Sequence, residues 1–400
     1  MARAGNRPRS SPRRRRRLRA AVAFAGALVV AQAAVLLLEP RSGLIEPAAV
    51  DPAQYFTPEQ IARARDFRTP QLALGLGGLA VQLGVLAWLA RRPPRWLPRA
   101  PLLAGAAVSL ALTAAGLPLR AVSRARALDV GLATQSWGGW LVDVAKRAAI
   151  SAAIAAVAAA LLMWLMRRLP RTWWLAGAAA IVGLGAGLVF AGPVVLDPLF
   201  NRFQPLPAGP ARADVLALAR RAGIDVGEVY VMDASRRTSG ANAYVTGLGR
   251  TKRIVLYDTL VDRFPPAEMR LVVAHELGHV ANRDVPNGLL YLALVAPAGM
   301  LAVARMRPRS VPALWLAIFV VATPIGWISN QLSRRVEARA DAFALRLTDE
   351  PRAFIAFERR ITLRNVSDPD PPRLVHRLFG THPTTVQRIG IARAYAAGAR

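Results

Sequence analysis

Long runs without a single charged side chain leave a chain few ways to fold. Such runs recur here at Ala21–Leu38, Thr69–Ala90, Ala100–Leu119, Ala148–Met166, Thr172–Leu196, Val285–Ala304 and Ser310–Ser333. Each supplies about 18–25 residues, enough helix to cross roughly 30 Å of hydrocarbon. Inside hydrocarbon a chain must satisfy its own backbone, which helices do. Buried helices of a soluble protein could mimic one or two of these runs. Seven of them, bounded by pairs such as Arg91–Arg92 and Arg167–Arg168, predict a seven-span membrane protein. Val130–Val142 is too short to span and reads as interfacial, with Trp137 and Trp140 suited to the headgroup region.

Composition supports this reading. Apolar residues make up 54% of the 400 residues, and the mean hydropathy is +0.30, both high for a soluble protein. The net charge is +29, carried almost wholly by arginine, with Lys146 and Lys252 the only lysines. A charge of that size suits nucleic-acid binding, but no nucleic-acid-binding motif accompanies it. The basic residues flank apolar runs instead, so no nucleic-acid partner is expected and membrane lipids are. The arginine and alanine bias is expected of a GC-rich bacterial genome, hence a bacterial cell membrane. There is no cysteine, which excludes disulfides, thiol catalysis and cysteine metal sites.

The chain divides into five stretches. Residues 1–20 read as a disordered basic tail and 21–196 as five spans with their loops. The first span, though it resembles a secretory signal, lacks a clean small-residue cleavage site and is read as uncleaved. Residues 197–284 form a soluble α+β segment. It opens with a Pro-punctuated linker, DPLFNRFQPLP. A helix follows at Ala211–Ala222, ending at Gly223. Strands are expected at Glu228–Met232, Asn242–Thr246 and Arg253–Tyr257. A helix begun by Pro265–Pro266 then runs to near Arg283. Residues 285–333 hold the last two spans. Residues 334–400 are a helical C-terminal segment with an amphipathic stretch at Arg352–Arg364, a loop at Ser367–Pro372 and a THP turn at Thr381–Pro383.

The chemistry concentrates in AHELGHV, Ala274–Val280. His275 and His279 lie four apart, one turn of helix, so both imidazoles face one way and can share a metal ion. Glu276 between them is placed to take a proton from a water on that metal and later hand it to a leaving amine. Burying two histidines and a glutamate in LVVAHELGHVA without a metal would be costly. This is the HExxH pattern of zinc proteases, and one zinc ion per chain is the expected cofactor. A catalytic zinc takes three protein ligands and leaves a position open. The candidate third ligand is Glu337, in VEARADAF, because two intervening spans return the chain to the side of His275. Asp341, one turn further, can accept a hydrogen bond from a ligand histidine and fix its tautomer.

From Leu196 to the C-terminus the text resembles the type I CAAX prenyl endopeptidases, seven-span zinc metalloproteases of the membrane. The matching stretches are LDPLFNRFQPLP, SGANAYVTGLGRTKRIVLYDTL, AHELGH, VEARADAFA and GTHPTTVQR. The first five spans match in architecture only. The resemblance implies a mainly α membrane protein, with seven transmembrane helices enclosing a chamber, plus a small α+β zincin-like catalytic domain. It implies zinc on His275, His279 and Glu337, and Glu276 as catalytic base. It further implies that Asn242 binds substrate backbone from an edge strand and that His382 stabilises the oxyanion. Arg388 would support His382 or pair with a nearby carboxylate. His376 matches nothing in the family pattern and reads as structural. The implied substrate is an extended polypeptide, membrane-associated, lipid-modified or partly unfolded. The acidic insertion that some eukaryotic members carry before HExxH is missing; Asp258–Ala267 is only a short link.

Seven spans alone would equally suit a receptor, a transporter or an inactive scaffold. Transport would favour isolated ionisable groups within the spans, and the seven runs hold none; an intact Glu276 argues against a dead enzyme. Orientation is left open by the sequence. The family places its protease domain in the cytosol, whereas the basic tail, Arg91–Arg99, Arg167–Arg171 and Arg305–Arg309 all fall on the side opposite the catalytic segment. Loop Arg120–Arg147, on the catalytic side, is also basic.

Overall fold

The computed structural model describes residues 12–246 and 253–398. It begins with five long helices: α1 (Pro12–Leu38), α2 (Pro58–Arg91), α3 (Pro101–Asp129), α4 (Trp137–Arg168) and α5 (Trp173–Val195). Strand β1 (Phe203–Pro205) and helix α6 (Pro210–Arg221) follow, then β2 (Glu228–Met232), β3 (Ala243–Thr246) and β4 (Arg253–Tyr257). Next come α7 (Asp258–Arg263) and α8 (Pro266–Ala281), and then α9 (Asp284–Met306) and α10 (Val311–Thr348). Helices α11 (Pro351–Arg364), α12 (Arg373–Phe379) and α13 (Thr385–Ala396) complete the chain.

Among the described residues, helices α1 to α5, α9 and α10 are the seven long and apolar enough to cross a membrane, as the seven runs predict, and the protein is a multi-pass membrane protein. Several start where the sequence supplies a cap. Thr57 and Gln60 form a reciprocal capping box ahead of α2, and Ser136 and Ser310 cap α4 and α10. Helix α1 packs on α9 and α10, α3 on α4, and α5 on α9. Only 11–33% of the most apolar window of each span is buried, so most of that surface is left for lipid or for space between the helices.

The extramembrane layer is a four-stranded sheet in the order β1-β2-β4-β3, with β2 and β4 parallel and the outer pairs antiparallel. Val229, Ile254 and Leu256 of the central strands are fully buried against Val273, Ala274 and Leu277 of α8. On its other side α8 lies on the end of α10, where Leu271, Leu345, Phe354 and Ile391 close a second core. Each fully buried leucine there contributes on the order of 2 kcal/mol.

Four features depart from the sequence reading. The basic tail is not wholly disordered: helix α1 begins at Pro12, so residues 12–20 continue the first span, while residues 1–11 lie outside the described residues. A run of arginines is a good helix former once an apolar span propagates from it. The DPLFNRFQPLP linker contains β1, an edge strand in which Pro205 needs no donor for its outer side. The short link before the motif helix coils into α7. Val130–Val142 divides into a turn and the first residues of α4, where Trp137 and Trp140 lie against the Arg124 guanidinium at 5.2 and 5.4 Å. The GLGRTK portion of the resemblance, residues 247–252, lies outside the described residues.

Candidate metal centre

Helix α8 begins at the Pro265–Pro266 step, as its sequence predicts. Its i, i+4 geometry stacks the rings of His275 and His279 edge to face, with centroids 4.8 Å apart. Glycine at 278 lets α10 come close: a Cβ there would stand 3.1 Å from Phe343 and 3.3 Å from the Ala340 backbone. That approach carries Glu337 to the histidines. His275 Nε2 lies 3.1 Å from Glu337 Oε2 and 3.2 Å from His279 Nε2, and His279 Nε2 is 3.7 Å from the same carboxylate oxygen. The three groups form a cluster with one possible ligand atom from each.

The outward nitrogens are also engaged. His275 Nδ1 is 2.9 Å from Asp341 Oδ1, and His279 Nδ1 is 2.9 Å from Asp284 Oδ2. A carboxylate at Nδ1 selects the tautomer whose Nε2 lone pair faces inward. Two such lone pairs beside a carboxylate oxygen repel one another unless a cation lies among them. With one side open to the cleft, the donor set fits a catalytic divalent metal centre.

Asp284 was not singled out by the sequence. It reaches His279 because Arg283, in the left-handed region at φ 55°, turns the chain sharply from α8 into α9. Arg339 of α10 pairs with its other oxygen. The available signal was an acid at the start of the span, five residues past the second histidine.

Arg388 donates through Nε to Asp341 at 2.8 Å and pairs through Nη1 with Glu358 at 2.7 Å. It therefore lies behind His275, backing Asp341, and is not hydrogen-bonded to His382. Glu358, also unread in the sequence, is fully buried. One guanidinium faces two carboxylates here, and burial pushes the Glu358 carboxyl up to about 7.

A cleft of about 920 Å³ opens over the metal centre. His275, Glu276, Asn242 and His382 line it, together with Arg68 of α2 and Phe379 of α12. Burial raises the Glu276 carboxyl above its ordinary range, against the pull of the two histidines. Asn242 is exposed at the start of the edge strand β3, with its carbonyl accepting from Tyr257 N–H at 3.0 Å. His382 Nε2 lies 3.2 Å from Glu337 Oε2, and its Nδ1 is 2.9 Å from the Thr381 hydroxyl. Arg334 of α10 donates to the Gly380 carbonyl at 2.6 Å and Asn330 to the Leu378 carbonyl at 2.6 Å, fixing the turn that carries His382. His376 also reaches the cleft wall, and burial lowers its pKa.

Comparison with known proteins agrees with this architecture. The model of peptidase family M48 matches residues 205–396, and that of the CAAX prenyl protease N-terminal region, five membrane helices, matches residues 102–202. The chain is 28% identical over 375 residues to the uncharacterized metalloprotease YhfN of Bacillus subtilis (strain 168), covering 86% of this chain and 88% of that one. It is 34% identical over 155 residues to CAAX prenyl protease 1 of Saccharomyces cerevisiae, 38% of this chain and 34% of that protein. The crystal structure of S. mikatae Ste24p superposes with a TM-score of 0.72 at 20% identity, covering 96% of this chain and 100% of that one, and so shares the fold. The chain belongs to the CAAX prenyl protease type of peptidase family M48 and is a membrane metalloendopeptidase.

Proposed function

We propose that this protein is a zinc endopeptidase of a bacterial cell membrane that cleaves extended polypeptides, membrane-associated, lipid-modified or partly unfolded, in the cleft above His275. The alignment with YhfN over most of both chains supports the bacterial setting. The observation that carries the reading is the convergence of His275, His279 and Glu337 beneath a cleft lined by Glu276. In this reading the catalytic unit is residues 197–284 together with 334–400, joined by the hairpin of α9 and α10.

His275, His279 and Glu337 would hold the zinc, which supplies Lewis acidity to a water and to the scissile carbonyl. The Glu276 carboxylate accepts the proton of the attacking water. It then returns that proton to the leaving amine nitrogen as the C–N bond breaks. His382 donates a hydrogen bond to the carbonyl oxygen as negative charge grows on it. Asn242, at the open edge of β3, accepts and donates to the backbone of a substrate laid as an added strand. Asp341 and Asp284 hold the two imidazoles in register, and Arg388 holds Asp341.

The test is metal content beside turnover. Purified protein should carry about one zinc per chain by elemental analysis, and Glu276→Gln should keep it while turnover of an unfolded peptide falls by about 10²–10⁴-fold. Well-folded protein without stoichiometric metal would contradict the assignment.

A further inference from the structure

The two faces of the helical bundle differ in charge. At one face α1, α3, α5 and α10 begin and α2, α4 and α9 end. The structure joins these ends. Arg16 donates to the Met306 carbonyl at 3.2 Å, Trp173 shares an apolar cluster with Leu165 and Met306, and Leu97 shares another with Leu86 and Val311. This face carries the arginines of Arg14–Arg19, Arg91–Arg99, Arg167–Arg171 and Arg305–Arg309, all exposed, and those four segments contain no Asp or Glu.

The opposite face holds the catalytic layer and is mixed in sign. Its first connection contains Glu39, Glu46 and Asp51. Several of its arginines are taken up by the fold. Arg65 pairs with Asp368, Arg237 with Asp143, Arg126 bonds the Asp66 carbonyl, and Arg124 bonds the Gln135 carbonyl while lying over two tryptophans. Unbalanced arginine beside a span is retained where the membrane potential is negative and the leaflet anionic, that is, on the cytoplasmic side. The leading segment, with its dense arginines running into α1, is the one that usually dominates.

We propose that the arginine face is the cytoplasmic face, so that the cleft opens away from the cytoplasm. The substrates are then polypeptide segments presented outside it, exported or membrane-tethered and extended. The orientation stands on charge placement alone; the statement about substrates rests also on the endopeptidase reading. It reverses the orientation that the resemblance to the prenyl endopeptidases implies.

The chain has no cysteine, so single-cysteine variants of the full-length protein report side directly. Ala100→Cys and Thr172→Cys mark the arginine face, and Ala49→Cys and Ala208→Cys the catalytic side; all four positions are exposed. A membrane-impermeant maleimide added to intact spheroplasts should label the latter pair, and the former only after lysis. Labelling of the former pair before lysis, alone or together with the latter, overturns the proposal. The same pattern is expected in a Glu276→Gln background, because orientation does not depend on turnover. A quenched unfolded peptide added to intact spheroplasts should be cleaved by the unaltered protein and not by Glu276→Gln. Cleavage that appears only after lysis overturns the substrate assignment. No cleavage even after lysis, with labelling as expected, would contradict the endopeptidase reading and leave the orientation standing.

Discussion

At the scale of single residues, the centre is two histidines whose usefulness depends on carboxylates that never touch substrate. Asp341 and Asp284 each fix one imidazole, so Asp341→Asn and Asp284→Asn should each weaken metal affinity by about 10- to 100-fold, read by competition with a chelator. Asp284 hides in the sequence because its relation to His279 is made by the left-handed Arg283, a conformation the residue type does not announce. Glu358 hides for another reason. It looks like one more helix carboxylate among arginines, and only the packing of α11 reveals it as buried beside Arg388. Its carboxyl, ordinarily at 4.5, stands at about 7 in the folded chain. Between those values the folded chain keeps a proton that the unfolded chain has released. Stability in detergent should therefore fall as pH rises from about 4.5 to about 7, and Glu358→Gln should flatten that part of the curve. Denaturation midpoints across that range, with and without the substitution, measure this.

At the scale of elements, the site is a crossing of α8 and α10. The crossing is close because residue 278 has no side chain. Gly278→Ala asks its neighbours to give by a few tenths of an ångström and should cost modestly. Gly278→Val should push Glu337 off the histidines and abolish stoichiometric metal, while far-ultraviolet circular dichroism stays helical. Much of this level is readable from sequence. Pro266 marks the start of α8, the apolar pattern gives β2 and β4 residue for residue, and the ExxxD spacing points to Glu337 and Asp341. What escapes is short or set by distant partners. Strand β1 is three residues long and exists because β2 pairs with it. Helix α12 has seven residues between two prolines, and its C-terminal carbonyls are held by Arg334 and Asn330 from α10. No window of local sequence encodes such support.

At the scale of the whole molecule, the catalytic layer and the membrane bundle are one construction, since the third candidate ligand arrives only after two spans have crossed. A metal held by His275, His279 and Glu337 would bind only the folded chain and bridge α8 to α10, so stripping it with a chelator should lower the thermal midpoint, and re-adding zinc should restore it in proportion to occupancy. Spans that keep their midpoint on chelation would mean that the layer and the bundle melt separately.

Helix α10 runs unbroken for 38 residues, about 57 Å of rod at 1.5 Å per residue. Its first turn sits at the arginine face, while Arg334, Glu337 and Asp341 ride near its other end. A rod so placed converts bilayer thickness into position. Glu337, Asp341 and the turn holding His382 are thus all anchored to one rod that also crosses the apolar layer. Depth in the bilayer and reach toward the histidines of α8 are therefore set by the same helix.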